Sequence, residues 1–195
     1  MKSFEEYLES AGKNGPPRAG IVLGVRMALH ALQQLGLDDP RKVHDDLIVV
    51  VETDRCLPDA IELVTGCRLG NRRLKFESMG KMAATLFDFT SNRAIRVAAR
   101  EAANQRAQEM FPQLDKEEAL RRAYCDLSDE ELFSSQPVQV HIAPEDLPGF
   151  QGSRVPCAQC GESIAFGREI LAAGRALCRS CAGPSYYRTL GTDIS

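Results

Sequence analysis

The sequence carries little net charge, three histidines and no long apolar stretch, and each shortage removes a class of function. A net charge of −3 leaves nothing global to draw the chain to nucleic acid or to an anionic membrane. No apolar run approaches the roughly 18 residues of a membrane span. The opening MKSFEEYLES carries acids and lacks the basic-then-apolar order of a signal peptide, so a cytoplasmic protein is expected. There is no P-loop, Rossmann fingerprint or serine-nucleophile motif. His30, His44 and His141 stand at no mutual ligand spacing and read as structural. What remains is ordinary globular composition, 44% apolar and 26% charged over 195 residues, enough for one good core plus a small module.

Cysteine is the informative residue. There are seven, an odd number, and four fall in two C-x2-C pairs. In a reducing compartment that pattern means metal ligands and free thiols rather than a disulfide framework. Cys157, Cys160, Cys178 and Cys181 form C-x2-C, 17 intervening residues, then C-x2-C, a zinc-site spacing. A four-cysteine set leaves no open coordination position, so one structural zinc per chain is expected; rubredoxin-type iron uses the same ligands. The glycine-split segment between the pairs suits a hairpin, and GPSYYRTL reads as a helix start, together the treble-clef order. Residues 144–195 hold five Arg and five acidic residues. Arg175, Arg179 and Arg188 could cluster, but no basic face is evident and a nucleic-acid partner is not expected.

Upstream, apolar spacing predicts helices over 3–11, 20–35 (closed by Gly36) and 57–65 (closed by Gly66). DLIVVVE at 46–52 reads as a central strand. KFES, MAATLFDF and AIRVAAR read as further strands, residues 100–111 and 115–126 as charged helices, SDEELF as a capped helix, and PVQVHIA (137–143) as the last strand. The expectation is an α+β domain, residues 1–143, with a mixed sheet of about five strands flanked by helices. Residues 144–195 supply a Pro/Gly-rich linker and the finger, a module of roughly 40 residues that needs a metal staple.

Cys56 and Cys67 lie at the two ends of the 57–65 helix. About 15 Å of helix would separate them, and a disulfide needs Cα atoms closer than about 7 Å. They therefore read as two small packed residues. Cys56, at the helix start, feels the helix end lowering its thiol pKa and Asp59 raising it. Cys125 reads as core or partly exposed, and Arg68, Arg72, Arg73 and Lys75 as a solvated basic face.

The stretch from Glu52 through Cys56, Asp59, Ala60, Ile61, Thr65, Gly66 and Cys67, followed by Gly80–Lys81, resembles the FmdE family of formylmethanofuran dehydrogenase proteins. Gly20, Gly24 and Arg26 fit that family's Gly-x3-Gly-x-Arg helix start. The resemblance runs over residues 14–100. It implies a thioredoxin-like core, a homodimer, a treble-clef zinc finger, and a protein partner in a molybdenum or tungsten one-carbon enzyme system. It also implies a His-x-His-x-Cys metal-binding stretch before the first long helix. Counted back from Gly20, those positions hold Asn14, Pro16 and Arg18. Proline cannot ligate through its side chain and arginine repels a cation. Cys56 is then the remnant of a metal site, with Arg18 free to favour its thiolate or to hold a small anion. The first reading is an accessory binding protein with a degenerate core site. A cysteine-dependent redox or metal enzyme using Cys56, Asp59 and Arg18 is the alternative, and a nucleic-acid or regulatory module acting through the finger is a third.

Overall fold

The structure, a computed structural model, describes residues 2–13, 15–39, 44–188 and 190. The chain divides into two compact units, Met1–His141 and Ile142–Ser195.

In the first unit, α1 (Phe4–Ala11) starts on a capping box in which the Ser3 hydroxyl accepts from Glu6 N–H and the Glu6 carboxylate accepts from Ser3 N–H. The long α2 (Ala19–Leu35) stops at Gly36, whose φ of 74° suits glycine. Then follow β1 (Leu47–Val51), α3 (Leu57–Thr65), β2 (Leu74–Phe76), β3 (Ala83–Asp88) and β4 (Arg93–Ala99). The helices α4 (Glu101–Met110), α5 (Lys116–Asp126) and α6 (Asp129–Leu132) lead into β5 (Phe133–Pro137).

The sheet has five strands in the order β2-β1-β3-β4-β5. β1 is parallel to β2, through α3, and the other pairs are antiparallel. This is the mixed α+β sheet that the sequence predicts. Val49, Val51, Leu86 and Val97 on one face of the sheet share a core with Val22, Val25 and Leu32 of α2 and Ile61 of α3. No helix among the described residues is long and apolar enough to cross a membrane.

The expected last strand is misplaced by four residues. The ladder with β4 runs from Arg100 N–H donating to Leu132 O to Val138 N–H donating to Ala94 O, and β4 itself begins at Arg93. Beyond Val138 there is no β4 backbone left to pair with. The alternation of PVQVHIA marks an extended chain, but alternation alone does not create a neighbouring strand.

Two packing features stand out in the first unit. The first is close helix packing. A Cβ on Gly24 would lie 2.6 Å from Ala60 Cβ, and one on Gly20 would lie 3.0 Å from Cys56 Cβ and Sγ. α2 therefore crosses α3 nearly backbone to backbone. The second is a buried ion pair. Glu52, 5% exposed, takes two bonds from Arg96, Nε to Oε1 at 2.5 Å and Nη2 to Oε2 at 2.8 Å. Those Arg96 hydrogen bonds hold its carboxyl below the ordinary value, against the opposing effect of burial.

The second unit holds β6 (Val155–Pro156), β7 (Ser163–Ile164), β8 (Ile170–Ala172), β9 (Arg175–Leu177) and the short α7 (Arg179–Ala182), with β6 paired to β7 and β8 to β9. Its buried apolar side chains among the described residues are Cys157 and Ile164, too few to hold a module of this size together.

Gly24→Ala tests the helix crossing. Helix propensity favours alanine by about 1 kcal/mol, but overpacking against Ala60 costs about 1–3 kcal/mol. A net loss of stability in denaturant or thermal melts is expected, and a stabilised variant would refute the tight crossing.

Candidate functional site

The four finger cysteines converge. The sulfurs of Cys157, Cys160, Cys178 and Cys181 all lie within 4.8 Å of one another. Backbone geometry brings this about. In the first knuckle Gly161 N–H donates to Cys157 O at 2.9 Å, with Gly161 at φ 78°, and Cys157 N–H donates to Glu162 O. Ala158 N–H donates to Ala176 O, tying that knuckle to β9. The β8–β9 turn needs positive φ at Ala173 (49°) and Gly174 (73°). Cys178 then caps α7, and Cys181 comes one turn later inside it. The helix expected at GPSYYRTL comes earlier instead, as α7, which begins after Cys178 and contains Cys181; described residues 183–188 carry no helix.

This donor set fits zinc. Cys160 Sγ and Cys178 Sγ are 3.9 Å apart, and tetrahedral Zn–S bonds of about 2.3 Å imply an S–S edge of about 3.8 Å. Backbone N–H groups of Cys160, Cys178 and Gln159 point at Cys157 and lower its thiol pKa to about 6. The fourth thiol is the opposite case. Contact with Cys178 first, then burial and the other sulfurs, push Cys181 up to about 12. Four thiolates cannot ionise side by side without a cation between them.

In the first unit, Cys56 is half-buried with φ 28° and ψ −40°. Leu57 N–H donates back to Arg55 O, so Cys56 is the centre of a γ-turn at the start of α3. It packs on the bare backbone of Gly20. Asp59 lies in the first turn of α3, and Arg18 is exposed at the start of α2. Among the described residues no hydrogen bond or ion pair joins Cys56, Asp59 and Arg18. Arg18 lines a recess of about 200 Å³ with Pro16, Pro17, Asp115, Glu117, Glu118 and Arg121. Glu117 caps α2, accepting from Ala19 N–H at 2.7 Å. Asn14 lies outside the described residues, as does the side chain of His44.

A larger cavity of about 760 Å³ lies between α1, the 12–17 loop and α5, with Leu8, Val22 and Phe111 as apolar lining and Glu5, Glu9 and Asp126 among its acids. Cys67 is fully buried, 3.8 Å from Leu47 O, and burial pushes its thiol up. Cys125 is exposed on α5 and its thiol is likewise raised, by the buried fraction of its surroundings first. The expected solvated face at 68–75 is partly structural: Arg73 folds inward to donate to Asp45 O and pairs with the Asp45 carboxylate. His30, isolated in the sequence, meets Asp129 and Ser135, 99 and 105 residues away. No sequence spacing signals that meeting, because it is made by a helix crossing a sheet edge.

An α+β domain with one closely crossed helix pair, together with a four-cysteine finger, defines a two-unit zinc-finger protein. The chain belongs to the family described as FmdE, Molybdenum formylmethanofuran dehydrogenase operon, which matches residues 16–135. Residues 151–187 match the prokaryotic dksA/traR C4-type zinc finger. A crystal structure of a tungsten formylmethanofuran dehydrogenase FmdE-like protein from Syntrophus aciditrophicus is 27% identical, with a TM-score of 0.64 over 96% of both chains. A probable S-adenosyl-L-methionine-binding protein from Archaeoglobus fulgidus is 30% identical over 89% of this chain. The chain spans about half the length of that curated relative, 51%.

Cys160→Ser should unfold residues 155–190, since metal binding supplies the folding free energy of such a module. Limited proteolysis should cut there and leave the first unit intact. Simultaneous loss of both units would show a single cooperative body.

Proposed function

We propose that this chain is an FmdE-like accessory protein of formylmethanofuran dehydrogenase-type one-carbon metabolism. One zinc ion stabilises its finger, and its core metal site has lost its ligands. The observation that carries the reading is at the start of α2. Cys56 remains packed against Gly20, and, counted back from Gly20, Pro16 and Arg18 occupy two of the positions at which the resemblance expects ligands. The recess that Arg18 lines contains three acids against two arginines, which disfavours an anion there. Cys56 without imidazole or thiol partners does not hold zinc in water. The βαβ unit within the mixed sheet supports a thioredoxin-like core, and a knuckle, hairpin and helix-borne second pair support a treble clef. A cytoplasmic homodimer that serves a molybdenum or tungsten enzyme as its protein partner completes the proposal.

Metal analysis with anomalous scattering tests it. One zinc per chain on the four finger cysteines is expected, and none at Cys56. Asn14→His, Pro16→His and Arg18→Cys together should add a second zinc, lost again with Cys56→Ser. A second ion already present at Cys56 in the natural chain, or iron in the finger, would overturn the assignment.

The relative's description favours a second reading, in which the 760 Å³ cavity binds S-adenosyl-L-methionine or a similar adenosyl cation. Its size is that of a small-molecule site. Phe111 in the lining could pack on the base or the sulfonium, and four acids against two arginines favour a cation. Calorimetric titration should give saturable binding that Phe111→Ala weakens about tenfold or more; no heat at millimolar ligand would dismiss it.

A further inference from the structure

His30 is wired on both sides. On α2 its Nδ1 is 2.9 Å from Asp129 Oδ2, and its Nε2 is 2.9 Å from Ser135 Oγ. The other Asp129 oxygen is 2.5 Å from Arg26 Nη2, so the carboxylate is paired with a cation and fixed. Arg26 is itself anchored on Tyr124 O at 3.0 Å, at the end of α5. A carboxylate that only accepts, placed at Nδ1, requires the ring proton there. In the neutral ring Nε2 is then the bare nitrogen, and the Ser135 hydroxyl donates to it. Phe133 stacks on the ring, with centroids 5.6 Å apart, and holds its plane. The imidazole is mostly buried, with 11% of its side chain exposed.

Ser135 is exposed on β5, the edge strand of the sheet. Because Leu132 O and Val138 N–H bond to β4, the N–H of Ser135 points to the open edge. A cavity of about 540 Å³, lined by His30, Asp129, Phe4, Leu29 and Leu37, adjoins the imidazole, and Ser135 stands outside its wall. Lys2, Arg26 and Asp38 are the other charged groups on its wall.

We propose that Ser135, His30 and Asp129 form a hydrolytic site for small carboxylic esters or thioesters. It is separate from the metal centre and from Cys56, and it does not rest on the accessory role. Ser135 is the nucleophile, His30 the general base, and Asp129 a positioning residue. Ser135 Oγ bonds to the carbonyl carbon as its proton passes to His30 Nε2. The Ser135 N–H at the open edge donates to the oxygen that becomes negative. The C–O or C–S bond to the leaving group breaks, and that group takes the proton from His30. Water then adds to the acyl-serine by the same route, releasing the acid and restoring the hydroxyl. Ser135 is exposed at the sheet edge, so the expected substrates are small, activated esters or thioesters that reach it from solvent. Arg26 neutralises part of the Asp129 charge, so a slow hydrolase is expected.

The test is covalent labelling of the full zinc-loaded chain with a fluorophosphonate, read by intact mass and peptide mapping. One adduct, on Ser135 and not on the neighbouring Ser134, is expected. Its rate should depend on pH, since a general base takes the serine proton. p-Nitrophenyl acetate hydrolysis should fall about 100-fold or more in Ser135→Ala, a surface change that leaves the fold intact. Asp129→Asn should alter the pH profile of labelling as well as its rate. No adduct at Ser135, an equal one at Ser134, a pH-independent rate, or undiminished hydrolysis by Ser135→Ala would each overturn the proposal. All but the last are read on the natural chain, so misfolding of a variant cannot obscure them.

Discussion

Helices ordinarily keep their axes about 8–10 Å apart because side chains stand between them. At Gly20 and Gly24 that spacer is missing on one helix, and α3 moves in until Ala60 and Cys56 touch the α2 backbone. Much of the first unit follows from this contact. It sets the start of α2 beside the start of α3, where the strained Cys56 sits. It fixes the line along which α2 crosses the sheet, and so the point at which His30 reaches β5. It also accounts for the spacing of the two glycines by sterics alone: they are one helical turn apart, on the face that α3 occupies.

The finger depends on a different constraint. Its apolar burial is small, and its four sulfurs stand close enough that their ionised forms repel. Backbone N–H donors favour the Cys157 thiolate, while contact with the other sulfurs and burial push the Cys181 thiol up. The same geometry is therefore unfavourable without an ion and stable with one. The first unit has the reverse character. Its deeply buried carboxylate Glu52 is answered within the sheet by Arg96 and needs no ligand.

Asp129 links elements that are distant in the chain. Its two oxygens serve Arg26 and His30, both on α2, from the first turn of α6. Arg26 in turn reaches the carbonyls that end α5. A carboxylate is a sound joint for this purpose because each oxygen answers one donor in a fixed direction. Joint and relay use the same hydrogen bonds, which is why chemical reactivity rather than stability distinguishes them.

Local signals in the sequence determined the helices and most strands. Ser3 and Ser128 with glutamate three residues on mark helix starts, Gly36 and Gly66 mark stops, and the β-branched 47–51 run makes a buried strand. The metal ligands were legible for the same reason, since two C-x2-C turns are local and their spacing speaks for itself. Tertiary structure alone decided what lies next to what. PVQVHIA alternates like a strand but lacks a partner because β4 starts at Arg93. Arg73 looked solvated but folds onto Asp45. His30, Asp129 and Ser135 carry no shared motif, since two helices and a sheet edge contribute one residue each. Periodicity and capping act within a few residues, whereas a site assembled from three elements depends on packing angles that no short stretch encodes.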